Sequence, residues 1–149
     1  MNIVSTLLLS ILLPFATSVK PKEYSLQELI ANENFSVEII SNGKYAGNSV
    51  ELKIKSSNKK DVIVKIPGGT LFYTSDEGEQ ILITTEDENL LVTKMRLKKK
   101  TLDGFCTESS DRAPSAESEM EFKFCENSEL LKLVDYLKEH PSIDHSNIQ

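Results

Sequence analysis

Tryptophan is absent from this sequence, and only two cysteines and two histidines occur among its 149 residues. Aromatic residues make up 7% of it and the formal net charge is −6. That balance argues against a nucleic-acid surface, which needs a basic footprint. Both histidines, His140 and His145, fall in the last ten residues, so no Ser-His-Asp or Cys-His-Asn order can be read. Nor does any apolar run reach the roughly 20 residues needed to span a bilayer.

Charge is missing altogether from residues 1 to 19, MNIVSTLLLSILLPFATSV. The apolar run from Ile3 to Phe15 is interrupted by Ser5, Thr6 and Ser10 and broken by Pro14. Ala16-Thr17-Ser18 then places small residues where a signal peptidase reads. Residues 1–18 are therefore expected to be a cleaved signal peptide. The chain is then secreted or periplasmic, with no stable membrane span after cleavage. No Lys or Arg precedes the run, which keeps a lone hydrophobic anchor or a buried helix as alternatives.

The remaining chain, about 130 residues, is enough for one domain with a core and too short for two. We read residues 19–140 as that domain and 141–149, polar after Pro141, as a flexible tail. The mature chain keeps the whole acidic balance. Lys98-Lys99-Lys100 is its one basic cluster, read as a solvated strand end that discourages edge pairing.

Tyr24-Ser25-Leu26-Gln27-Glu28-Leu29 predicts a short helix. Ser25 and Glu28 have the spacing of a capping box, and Tyr24 and Leu29 that of a hydrophobic staple. From Phe35 the period becomes two. Phe35, Val37 and Ile39 alternate, then Tyr45-Ala46-Gly47 reads as turn material, and Val50, Leu52 and Ile54 alternate with Glu51, Lys53 and Lys55. Val62 to Ile66, Leu71 to Tyr73, Gln80 to Thr85, Asn89 to Val92, Met95 to Leu102 and Met120 to Phe124 continue the series. Short strands at regular spacing without intervening helices predict a mainly β fold, an antiparallel sandwich. Asn127 or Ser128 then caps a helix whose stripe is Leu130, Leu131, Val134 and Leu137. Its partner is the end or side of the sandwich, or else another chain or missing sequence.

The stretch "FCTESSDRAPS", Phe105 to Ser115, holds the candidate functional loop: Cys106, Asp111, Arg112 and Pro114. Cys106 and Cys125 are the only cysteines, and in an oxidising compartment an even count favours a disulfide. Closing their loop of about 18 residues contributes roughly 3 kcal/mol in the chain-entropy model. Two buried free thiols are the other reading. A catalytic thiolate needs a base or cation beside it, and Arg112 is the nearest candidate. His140, Asp144 and His145 carry metal-binding atoms in no compact metal spacing, so neither a metal nor a cofactor is expected. Pro67-Gly68-Gly69 leads into a strand and lacks the Lys-Ser/Thr pair of a phosphate loop, so it reads as a structural bend. Asn34-Phe35-Ser36 matches a glycosylation acceptor.

The order of these elements is similar to a family of uncharacterised exported bacterial proteins, common in Bacteroidetes. "VIVKIPGGTLF", a downstream Gln before "ILIT", then "GFCTESSDRAPSAESEMEF" and a Leu-rich helix carry the resemblance, from about Tyr24 to Leu137. The matching residues are Ile66, Pro67, Gly69, Thr70, Phe72, Gln80, Cys106, Ala113 and Pro114. Gly68 stands where that pattern has Ala. The resemblance implies an extracellular Ig-like β-sandwich without established enzymatic activity, closed by one C-terminal helix.

The expected function is thus a secreted or periplasmic, non-catalytic binding module whose partner is another protein or a cell-surface component. The alternative is an exported thiol or redox protein that cycles Cys106 and Cys125. A carrier holding a small ligand inside a closed barrel is a third reading.

Overall fold

A computed structural model describes residues 20–108 and 110–140. Residues 1–18, expected to be a signal peptide, and the expected tail 141–149, with Asp144 and His145, lie outside the described residues. Among the described residues the fold is mainly β: two sheets of three and six strands, a short N-terminal helix and one C-terminal helix.

Strand β1 (Lys22–Ser25) runs directly into helix α1 (Leu26–Ile30). Ser25 Oγ accepts from the Glu28 N–H at 3.2 Å and Glu28 Oε2 accepts from the Ser25 N–H at 2.7 Å, completing the capping box. Leu26 and Leu29 are buried. The Tyr24 ring lies 5.9 Å from that of Phe35, which fixes the entry of α1 against the next strand.

The other strands are β2 (Phe35–Ser41), β3 (Ala46–Ser56), β4 (Val62–Ile66), β5 (Thr70–Tyr73), β6 (Leu82–Thr84), β7 (Glu88–Val92), β8 (Leu97–Cys106) and β9 (Glu121–Phe124). The small sheet has the order β1-β4-β7 and the large one β2-β3-β8-β6-β5-β9. The expectation of a wholly antiparallel arrangement fails at β1, which pairs parallel to β4 from Lys22–Val62 to Ser25–Lys65. Its sequence, KEYS, has one apolar side chain and hence no alternation to read. Main-chain pairing and an ion pair between Lys65 and Glu23, 2.6 Å, hold it in place.

Two further expectations are corrected. Ala46 and Gly47 belong to β3 rather than to a turn, paired with Phe105 and Gly104. Lys98, Lys99 and Lys100 are not a free strand end: they pair with Ile54, Lys53 and Leu52, and Lys100 meets Glu88 at 2.8 Å.

The core follows from alternation. Val50, Leu52, Ile54 and Leu102 of the large sheet face Val62, Val64, Ile66, Leu90 and Val92 of the small one, all buried. Phe72, Leu82 and Cys106 form one cross-strand row turned toward this core. The adjacent row, Leu71, Ile83 and Phe105, emerges on the opposite face and needs its own cover.

Helix α2 (Ser128–Glu139) supplies that cover. Asn127 caps it, its Oδ1 accepting from the N–H groups of Glu129 and Leu130 at 3.0 and 3.2 Å. Leu130, Leu131 and Val134 pack with Leu71, Ile83, Phe105 and Cys125, so the stripe is satisfied within the chain. Both faces of the β5–β6–β8 region are thereby buried.

The large sheet also curls. Beyond the polar loop the chain returns to β2. The Glu117 N–H donates to Ser41 O and the Ser41 N–H to Ser118 O, each at 2.9 Å, and the Met120 N–H donates to Ile39 O at 2.8 Å. An antiparallel bridge joins Ile40 and Glu119. The two edges of the six-stranded sheet therefore meet at one end and diverge toward the other, making a half-barrel.

Candidate functional site

Cys106 ends β8, and its thiol donates to the Tyr45 carbonyl at 2.9 Å. Burial pushes that thiol up to about 11, because a thiolate there would lose its hydration. A nucleophilic cysteine needs the opposite shift. Arg112, the candidate cation of the same loop, is instead ion-paired with Asp76 and lies 3.6 Å from Glu79.

The disulfide expectation is corrected: Cys106 and Cys125 are both free. A bridge between them requires neighbouring strands, but β6 and β5 lie between β8 and β9. Three inter-strand steps span about 14 Å, more than twice a bridged Cα separation. A redox cycle through this pair therefore has no support in the geometry. Cys125 is buried beneath α2, its Sγ 3.7 Å from the Asn127 carbonyl oxygen.

The loop after Cys106 is tied down by a carboxylate that sequence reading misses. Glu79 is buried, with a side chain 3% exposed. It accepts from Thr74 Oγ1 at 2.6 Å, from Ser115 Oγ at 2.6 Å and from the Ser115 N–H at 2.9 Å. The Ser115 and Thr74 hydroxyls hold its carboxyl below the ordinary glutamate value of 4.5, against the cost of burial. The backbone adds to this: the Gln80 N–H donates to Arg112 O at 2.9 Å, and Gln80 Nε2 to Asp111 O at 2.5 Å. Pro114 offers its carbonyl to Ser41 Oγ at 3.2 Å. Asp111, Arg112 and Pro114 thus fasten the loop to the turn before β6 and to the end of β2. Nothing in DEGEQ distinguishes Glu79 from its acidic neighbours; only the fold buries it.

A groove of about 720 Å³ remains beside this loop, between Cys106, Gln80, Arg112, Leu130 and Leu133. Gln80 is 3% exposed and its Oε1 has no hydrogen-bond partner among the described residues.

Pro67-Gly68-Gly69 links β4 to β5 and also seats α2. Gly69 has φ +88°, and a Cβ there would lie 2.8 Å from Leu131 Cδ2. The Gly68 N–H donates to Asp87 Oδ1 at 2.7 Å, and Lys138 reaches the same oxygen at 2.8 Å. Lys138 and Gly68 hold Asp87 below its ordinary value.

Among the described residues no three His, Cys, Asp or Glu side chains converge in a way that could hold a metal. His140 lies at the end of α2, stacked on Tyr136 with its Nδ1 2.8 Å from the Tyr136 carbonyl oxygen. Asn34 is exposed, and its Nδ2 donates to Asn32 Oδ1 at 3.0 Å. No described helix is long and apolar enough to cross a membrane.

Another concave surface is the seam where β2 and β9 diverge, a groove of about 480 Å³. Val37, Ile39, Met120 and Phe122 line it, with Ile30 and Ser75 also present. Glu38, Glu119 and Glu121 complete the lining, and among the described residues no cation contributes to it. Both bounding strands are sheet edges. Sequence reading misses this seam because it depends on which strands end up at the edges.

Comparison of the chain with protein-family models, with curated proteins and with solved structures finds no match. The functional reading rests on the geometry of the loop and the seam.

Proposed function

We propose that this protein is a secreted or periplasmic, non-catalytic binding module built as an Ig-like β-sandwich, whose partner is another protein or a cell-surface component. One observation carries the reading: two sheet edges, β2 and β9, face each other across a groove with an apolar floor and glutamates along it, while the face between the sheets and the outer face of β5–β6–β8 are covered from within the chain. Unpaired edges attract further strands, and native proteins usually cover or charge them. The β2 sequence, FSVEIIS, has neither Lys nor Pro to discourage pairing. The uncharged leader with its small-residue cleavage site supports export. The raised Cys106 thiol supports a structural rather than a reactive cysteine.

A photo-crosslinking residue placed at Ser75 in the groove, or at Met95 outside it, tests this on the producing cells. The expected result is an adduct at Ser75 that excess purified protein competes away, with none at Met95. Equal labelling at both positions, or no saturable adduct, would overturn the reading.

A further inference from the structure

We propose that the seam between β2 and β9 accepts an extended segment of a partner protein as an added strand, one in which Lys or Arg alternates with apolar side chains. This deepens the binding-module reading and rests on it.

The main chain supplies the first half of the argument. The Ser41 N–H and the Ile39 carbonyl point into the seam, where they bond Ser118 and Met120. Backbone groups two residues apart on a strand point the same way. The N–H and carbonyl of Val37 therefore face the seam too. On the other side the Met120 N–H points toward β2, whereas the Cys125 N–H bonds Gly69 on the β5 side. By the same alternation Phe122 and Phe124 direct their backbone groups into the seam. Among the described residues no β-bridge extends the β2–β9 contact past Ile40–Glu119. Below the bridge both edges thus offer donors and acceptors to one more short strand of about four residues, the Phe35 N–H alone being already bonded, to Asn32 O. Because β2 and β9 run antiparallel, that strand is parallel to one and antiparallel to the other.

The side chains supply the second half. Val37, Ile39, Met120 and Phe122 sit on the core side of the two edges, packed with the main core. Glu38, Glu119 and Glu121, one position along, take the opposite face and are exposed. Lys53, 3.1 Å from Glu38, offsets one of these three carboxylates. An inserted strand consequently meets apolar surface with every second side chain and, with the others, the carboxylates of Glu38, Glu119 and Glu121, with Lys123 as the one cation of β9 on that face. A second copy of this chain is a poor occupant, because its own edges would bring Glu38 or Glu121 against like charge.

The test uses the full chain and three labelled seven-residue peptides: alternating lysine and valine, the same residues in two blocks, and alternating glutamate and valine. Binding is read by fluorescence anisotropy and located by amide hydrogen exchange. Only the alternating lysine–valine peptide is expected to bind, protecting amides in residues 35–41 and 119–124. Glu119→Lys with Glu121→Lys, both exposed, should weaken it about tenfold or more. Val37→Pro, which removes a donor aimed at the seam, should abolish binding. The charge-reversal pair keeps the test informative if the proline variant does not fold.

Equal binding of the block peptide, protection elsewhere, or no binding overturns strand insertion. Protection of the seam before peptide is added, or a dimer with that protection, puts this chain itself in the groove and also overturns it. Loss of peptide binding with a saturable Ser75 adduct intact rejects the added strand alone; loss of both rejects the module.

Discussion

Ser115 donates twice to the buried Glu79 carboxylate, through its N–H at 2.9 Å and its hydroxyl at 2.6 Å. This pair joins the loop after β8 to the turn before β6. A charged acceptor with several donors prefers its ionised form, so the folded state depresses the Glu79 pKa below 4.5. The stabilisation is then fully present above about 4.5 and lost as pH falls through the folded pKa. Urea unfolding of the wild type and Glu79→Gln should differ most near pH 7 and converge in acid. Glu79→Ala, which strands buried donors, should cost about 2 kcal/mol at neutral pH.

The thiols give a second measurement. With its pKa near 11, Cys106 holds about one part in a thousand as thiolate at pH 8. Native protein should react slowly with iodoacetamide. Denatured protein should take up two equivalents without reductant, because neither cysteine is bridged. A need for reductant, or rapid native modification of Cys106, would contradict the structure.

Gly69→Ala tests the seat of α2. The added Cβ meets Leu131 at 2.8 Å and the residue keeps φ +88°, so a loss of about 1–2 kcal/mol is expected. Combining it with Leu131→Ala should recover the contact part and leave the backbone part. Full recovery in a double-mutant cycle would show that φ carries no cost.

Two leucines on α2 make an internal control. Leu137 is 5% exposed and Leu133 is 40% exposed. Leu137→Ala should destabilise by about 2–4 kcal/mol, and Leu133→Ala by about 0.5 kcal/mol or less. Equal effects would place α2 differently on the sheet.

Much of the fold is legible in the sequence because its signals are local. The Ser25–Glu28 capping box, the alternation of Val50, Leu52 and Ile54, and the Leu130, Leu131, Val134, Leu137 stripe each lie within a few residues of chain. Strand β1 is invisible there because KEYS has no apolar period. The expected cysteine bridge assumes neighbouring strands; the order β8-β6-β5-β9 separates them. Cys106, Asp111, Arg112 and Pro114 stand out as one loop, whereas Glu79, which anchors it, resembles any other acidic turn residue.

The sequence by itself determined the mainly β character, both helices with the cap of the first, and which face of most strands is apolar, since hydrophobic period and capping chemistry act over one or two turns. Only the tertiary structure decided the parallel β1–β4 pair, the free state of the two thiols, the burial of Glu79 and the seam between β2 and β9. Each depends on which distant segments become neighbours. That choice is made by burial of the face between the two sheets and of the outer face of β5–β6–β8, a sum over the whole chain that no short stretch encodes.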